Sequence, residues 1–176
     1  MARFAIIDAG RVINHAEADS DFAASQGWIP AGESRMGDLW DGGVFTPAPP
    51  EPLPERQTAA WERIKQERDR RKYMGVKVGA HWFHSDDPSR IQQIALAMMG
   101  NAIPAGLMWK TLTTTPPPVF VEMTPALAQG IFQATAASDA AIFATAEAHR
   151  VAMEASATPE SYDCTTGWPA SIEDEA

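Results

Sequence analysis

The residues best suited to metal or acid/base chemistry lie together near the middle of the chain. His81 and His84 flank Trp82-Phe83 and are followed by Asp86 and Asp87. Imidazole and carboxylate groups are common metal ligands, so His81, His84 and Asp86 suggest a metal-binding or hydrolytic enzyme. In a strand, however, side chains three residues apart point to opposite faces. We therefore expect no metal site, because the two histidines could share an ion only if the strand were broken between them.

Two other side chains have reactive chemistry, but their surroundings do not indicate catalysis. Cys164 is the single cysteine. It therefore has no second cysteine with which to form a disulfide within the chain or to bind zinc as a pair. His149 falls among apolar residues at helical spacing, which is typical of a packing residue. The sequence also lacks a phosphate-binding glycine loop and a nucleophile elbow. We expect no catalytic residues, no cofactor and no enzymatic activity.

Composition restricts the classes of partner. The chain has 176 residues, of which 45% are hydrophobic, enough for one ordinary domain or two small ones. Its net charge is −9, which opposes binding to nucleic acid phosphates and to anionic lipid surfaces. No apolar run approaches the roughly 18 residues of a membrane span, and an acidic residue and a glycine interrupt the N-terminus too early for a secretory signal. We expect a protein of the reducing cytoplasm whose partners are proteins.

The first 46 residues predict a small β module. Strands are expected over 4–7 and 11–15 because Asp8-Ala9-Gly10 between them suits a tight hairpin turn. A helical turn should follow over 19–26, ended by Gly27. A second hairpin is expected where Asp41-Gly42-Gly43 separates two short apolar pairs, with Trp28 covering the sheet.

Residues 47–54 are predicted to be a linker. Prolines recur at Pro47, Pro49, Pro50, Pro52 and Pro54. Proline lacks an amide donor and favours extended backbone, so this segment should be a semi-rigid spacer between two domains. A ligand for an aromatic groove on another protein is the alternative interpretation.

Residues 55–176 predict an α+β domain of short antiparallel strands and two or three helices. Strands are expected within 76–83, 107–112 and 119–123, and helices over 55–73 and 88–102. Asp87 before Pro88 is predicted to be the N-cap of the second helix. An apolar stripe is expected along one face of that helix; it consists of Ile91, Ile94, Ala95, Met98 and Ala102.

A long alanine-rich helix is expected from Pro125 to Ala157, with Thr124 as its N-cap. Its apolar positions recur at steps of three and four residues: Leu127, Ile131, Ala134, Ser138, Ile142, Ala146, His149 and Met153. This narrow stripe suits packing against the 88–102 helix, which would cover only part of it. The remainder is predicted to be an oligomer or partner surface. Trp168 should fold back onto the helices, and the acidic end should be mobile.

Several segments, taken in order, resemble a known family. They are Arg70-Arg71-Lys72-Tyr73 with Gly75-Val76; Phe83, Ser85-Asp86, Ser89 and Ile91; Trp109-Lys110-Thr111; Val119-Phe120-Val121-Glu122-Met123-Thr124; and Gly167-Trp168-Pro169 after the long helix. The resemblance is to a domain-of-unknown-function family of bacteriophages and prophages. Its members are small proteins encoded beside tail-fibre genes and described as tail fibre assembly proteins. Residues 27–30 and 37–47 look like the β module that precedes this domain. The turn over 113–118 departs from the family's shorter, glycine-containing hairpin.

The resemblance implies a bacteriophage tail protein that acts by contact. We expect a tail fibre assembly chaperone in the host cytoplasm; the alternative is a structural subunit of the virion tail fibre or baseplate. Expected partners are tail fibre or baseplate proteins, or further copies of this chain through the long helix, with no nucleic acid and no membrane. The predicted contact residues are Trp28, Trp40 and Phe45 on the β module and Ile131, Ile142 and His149 on the long helix.

Overall fold

The computed structural model describes residues 1–175 and confirms the α+β class. The chain divides into two compact units, the first covering Met1–Pro52 and the second beginning at Leu53. Each unit contains its own hydrophobic clusters. Within the described residues, no helix combines the length and apolar character that crossing a membrane requires.

The N-terminal unit is a five-stranded antiparallel sheet with one short helix. Its elements are β1 (Ala2–Asp8), β2 (Arg11–Ala18), α1 (Ser20–Ser25), β3 (Ile29–Pro30), β4 (Leu39–Trp40) and β5 (Phe45–Thr46). The strands are arranged in the order β3-β1-β2-β4-β5. β3 is the one strand of this sheet that the sequence did not predict. The equally short β4 and β5 flank a glycine-containing turn that marks a hairpin, whereas β3 pairs with β1, which is distant in sequence.

The hairpin between β1 and β2 follows from its two-residue turn. Asp8 pairs with Arg11, and both Ala9 and Gly10 have positive φ. Such turns match the twist of the flanking strands. Because adjacent strand residues point to opposite faces, Phe4 and Ala5 begin separate clusters on the two faces of the sheet. α1 and Trp28 cover Phe4.

The C-terminal unit contains the remaining α-helices and strands, together with three short 3-10 helices over Gly100–Ala102, Pro159–Ser161 and Ile172–Glu175. The α-helices and strands are α2 (Leu53–Arg71), β6 (Val76–Val78), β7 (His81–Phe83), α3 (Asp87–Met99), β8 (Met108–Lys110), β9 (Phe120–Glu122) and α4 (Pro125–Glu154). β6 pairs with β7 and β8 with β9, both antiparallel. Thr124 caps α4 as predicted, since its side chain accepts a hydrogen bond from the Leu127 N–H at 3.1 Å.

The N-cap of α3 is Asp86, not Asp87. The Asp86 carboxylate accepts hydrogen bonds from the Ser89 N–H at 3.0 Å and from the Ser89 hydroxyl at 2.8 Å. Asp87 lies in the first turn and accepts a hydrogen bond from the Tyr73 hydroxyl at 3.0 Å. The prediction failed because proline is tolerated throughout the first turn, so Pro88 does not mark the first helical residue.

α4 is covered by different elements along its 30 residues, about 45 Å of helix. Its N-terminal half contributes Ile131 to a cluster with Phe83 and Met123, and its C-terminal half packs against α2. Ile131 and Ile142 are 0% and 3% exposed. They lie inside the unit, so the prediction that they form a partner surface is wrong. The spacing in the sequence predicted packing of the 88–102 helix on α4, but not the packing of α2 on the other half of α4.

The acidic end of the chain is docked in the structure, whereas a mobile end was expected. Glu173 forms an ion pair with Arg70 at 3.0 Å, and Glu175 forms one with Lys77. The Ile172 N–H donates to the Met74 carbonyl at 3.2 Å. Residues distant in sequence supply these cations, so local composition did not reveal the contacts. Trp168 folds back onto the α2–α4 cluster, as predicted.

Candidate contact surfaces

The three side chains of the possible metal centre do not converge. His81 belongs to β7, whereas His84 follows the strand, and they line two different grooves beside the threonine- and proline-rich loop over 113–118. His84 Nδ1 lies 3.9 Å from Asp86 Oδ2. The hydrogen bonds that Asp86 accepts from the Ser89 N–H and hydroxyl lower its pKa. Among residues 1–175, no three histidine, cysteine, aspartate or glutamate side chains are grouped closely enough to hold a metal ion.

His149 and Cys164 contribute to packing at the C-terminal end of α4. Both ring nitrogens of His149 have partners, the Tyr162 hydroxyl at 2.9 Å and the Thr166 carbonyl at 2.9 Å. Its ring also lies 5.2 Å from that of Trp168. Cys164 packs in the same cluster and its carbonyl accepts a hydrogen bond from Trp168. His149 therefore stabilises the segment that follows α4 and offers little to an outside partner.

The apolar stripe predicted for α3 is present but points away from the core. Ile91, Ile94 and Met98 are 69%, 44% and 82% exposed. The buried side of the helix instead carries Gln93 and Leu96. The Gln93 amide donates to the His84 carbonyl at 2.7 Å, which satisfies a polar group that would otherwise be costly to bury. The spacing in the sequence predicted this apolar face, but periodicity does not identify what covers it.

A groove separates this stripe from α4. It has a volume of about 180 Å³ and is lined by Ile94 and Gln93 of α3 and by Phe132 and Ala136 of α4. The Arg90–Asp139 ion pair lies at the same groove, with Nη1 2.6 Å from Oδ2. The carboxylate of Asp139 raises the pKa of the Arg90 guanidinium, so the guanidinium remains charged.

Apart from the Arg90–Asp139 pair, the groove lies between two uncharged segments of the chain. No charged residue occurs over 91–109 or over 123–138. Phe132, which is 44% exposed, was not among the predicted contact residues. The absence of charge over two long segments of an acidic chain was the sequence signal that could have identified this face. We call Ile91, Ile94, Met98 and Phe132 the α3–α4 face.

The N-terminal unit carries the other predicted contact residues. Trp40 and Phe45 are half-buried neighbours on β4 and β5, with ring centroids 4.5 Å apart. Leu39 and Val44 beside them are exposed. Trp28 lies elsewhere, half-buried against α1 with its ring edge-on to Phe22. The structure therefore brings Trp40 and Phe45 together and places Trp28 in a separate cluster.

Three comparisons with known proteins complete this description. Residues 55–166 match a family model described as a domain of unknown function, DUF4376. This matched segment includes α3, the groove and α4. Neither the comparison with curated proteins nor the comparison with solved structures found a match.

Proposed function

This chain belongs to the DUF4376 family, and we propose that it is a non-enzymatic bacteriophage tail protein that binds the tail fibre as an assembly chaperone. The phage setting is supported by the resemblance of segments such as Trp109-Lys110-Thr111 and Gly167-Trp168-Pro169 to a bacteriophage family. The proposal that the protein acts by contact is supported by one observation: large apolar side chains remain exposed in both units. Exposed apolar patches commonly mark protein interaction sites.

The surface around β4 and β5 is the proposed fibre contact. Trp40 and Phe45 form a half-buried aromatic pair, flanked by exposed Leu39 and Val44. Aromatic side chains that are held in place contribute strongly to binding because they bury a large area at little entropic cost. An apolar segment of the fibre protein would cover these four side chains.

The test is co-expression with the neighbouring tail-fibre gene product, followed by size-exclusion chromatography with light scattering. Val44→Glu should weaken a complex of the two proteins by about tenfold or more, because it places a charge in an apolar contact. Val151→Glu is the matched control, since Val44 and Val151 are 61% and 62% exposed. Failure of the wild-type protein to form a complex would contradict the proposed function. Equal weakening by both variants would contradict the proposed surface.

A virion blot separates the chaperone from the structural subunit. A chaperone that leaves the fibre after assembly should be absent from purified virions. Detection of the protein there in stoichiometric amounts would instead identify a permanent subunit of the tail fibre or baseplate.

Metal analysis tests the proposal that the protein is not a metalloenzyme. We expect the purified protein to contain less than one equivalent of zinc or iron. One equivalent that is lost in a His81→Ala variant would contradict the proposal and favour an enzyme built on His81, His84 and Asp86.

A further inference from the structure

We propose that the α3–α4 face is covered by a second copy of this chain, so that the protein is a two-fold symmetric dimer. The inference is independent of the proposed fibre contact, which lies in the N-terminal unit. It rests on the orientation of α3, on the shape of the face and on its charge.

The orientation of α3 leaves a helix stripe without a partner in its own chain. Ile91, Ile94 and Met98 follow the i, i+3, i+7 spacing of one helix face. An amphipathic helix normally turns such a face toward a core, yet these three side chains are 69%, 44% and 82% exposed. With Phe132 they form an apolar patch on the order of a few hundred Å², the size above which patches mark interaction sites.

The shape of the face suits contact with itself. In a two-fold interface, each copy must offer both a projecting part and a receiving part, because residue i contacts j and j contacts i. Met98 and Ile91 project from α3, and the groove of about 180 Å³ between Ile94 and Phe132 can receive a side chain. A cavity of about 150 Å³ already accommodates a benzene molecule, so one large apolar side chain of the partner copy would fit.

The two helices also have the arrangement that allows a four-helix packing. Arg90, at the start of α3, contacts Asp139 in the middle of α4. Ile103, just beyond the end of α3, packs with Ala128 near the start of α4. α3 therefore runs antiparallel to the N-terminal half of α4. Two such pairs, related by a two-fold axis, would bury their apolar faces as in a four-helix bundle.

Charge favours a second copy over a strongly charged partner as the occupant. Each chain has a net charge of −9, so two copies repel each other over most of their surfaces. The segments 91–109 and 123–138 carry no charge, and the Arg90–Asp139 pair beside them is internally neutralised. This face can therefore meet its own copy without placing like charges opposite one another. A strongly charged partner would find no opposite charge there.

Light scattering and sedimentation on the full chain test the dimer. We expect a mass twice the 19.1 kDa of one chain, and we expect added salt to leave the dimer intact because no intermolecular ion pair holds it. Met98→Glu should raise the dimer Kd at least about tenfold, since the two-fold axis introduces the charge twice into an apolar contact. Circular dichroism should be unchanged because Met98 is exposed in the single chain.

Two further variants make the result decisive. Ile91→Lys should also weaken the dimer. If the circular dichroism of Met98→Glu shows a loss of helix, that variant is misfolded and Ile91→Lys alone tests the dimer. Val151→Glu, on the C-terminal part of α4 outside the groove, should leave the Kd unchanged. A wild-type mass of one chain at every concentration would overturn the proposal. So would a dimer that Met98→Glu and Ile91→Lys leave as tight as the wild type.

Discussion

Arg90 connects three segments of the C-terminal unit through one guanidinium group. It forms the ion pair with Asp139 of α4 and donates to the Lys72 carbonyl at 2.9 Å and to the Ser85 carbonyl. Its side chain is mostly buried, and the hydrogen bonds satisfy carbonyl groups after α2 and before α3. Hydrogen bonds from a charged donor are stronger than neutral ones. The side chain therefore stabilises the fold beside the α3–α4 face.

Arg90→Ala should lower the free energy of unfolding by about 1–2 kcal/mol. This expected loss lies near the lower end of the free energies found for hydrogen bonds to charged groups, because the Arg90–Asp139 pair is partly solvated. Urea denaturation measures the change. Arg150→Ala is the comparison, since Arg150 pairs with Glu147 and Glu154 of its own exposed helix surface, and it should have a smaller effect. Equal effects would mean that the connection between segments contributes little.

The Asp86 cap gives stability that depends on pH. The Ser89 N–H lowers the pKa of Asp86 in the folded chain below its value in the unfolded chain. The ionised cap therefore stabilises the fold above the unfolded-state value of about 3.9, and this contribution disappears as pH falls through the folded pKa. Asp86→Asn keeps a cap acceptor but cannot ionise. The difference in unfolding free energy between wild type and Asp86→Asn should be constant near neutral pH and shrink in acid. A difference that does not change with pH would contradict this role.

At the scale of elements, the turn before β6 requires a glycine for two reasons. Gly75 has a φ of +84°, and a Cβ there would lie 2.6 Å from Leu112 Cδ2 and 3.2 Å from the Phe83 carbonyl oxygen. Its N–H also donates to the buried Ser85 hydroxyl at 2.9 Å. Gly79, in the turn between β6 and β7, has a φ of +60° but open space around a Cβ. A side chain at Gly79 would therefore meet backbone strain alone, whereas one at Gly75 would meet backbone strain and steric overlap.

Gly75→Ala should destabilise the protein more than Gly79→Ala. Both substitutions introduce left-handed strain of about 1–2 kcal/mol, and Gly75→Ala adds overpacking of about 1 kcal/mol or more. Thermal unfolding of the two variants, followed by circular dichroism, gives the comparison. Similar losses would show that Leu112 and the Phe83 backbone move aside without cost.

At the scale of the whole molecule, the two units have unequal cores. The clusters of the C-terminal unit include Phe83, Ile64, Ile131 and Met153, all fully buried. The N-terminal clusters depend on smaller residues such as Ala5 and on the partly buried Trp28. Domains near 50 residues bury a smaller share of their surface and are marginally stable.

A fragment of residues 53–176 should therefore fold alone, whereas residues 1–52 alone should be marginal. Cooperative urea unfolding of the longer fragment, with the helical signal of α2, α3 and α4 retained, is the expected result. A longer fragment without cooperative unfolding would show that its clusters need the N-terminal unit.

The sequence determined the elements whose signals are local. The Ala9-Gly10 turn, the Thr124 cap and the apolar spacing of α3 depend on backbone dihedral preferences and hydrogen bonds between near neighbours. These features predicted the β1–β2 hairpin, the long helix α4 and the α+β class. The sequence also contained the apolar stripe of α3 in full, although not its direction.

Only the tertiary structure decided which faces are covered. Burial depends on residues far apart in sequence: α2 covers the half of α4 that contains Ala146, Gln93 turns inward because the His84 carbonyl accepts its hydrogen bond, and Arg70 holds Glu173. The same long-range packing placed Ile131 in the core and left Met98 exposed. A stripe on a helix shows that a surface is apolar, and the three-dimensional neighbours determine whether it becomes core or contact surface.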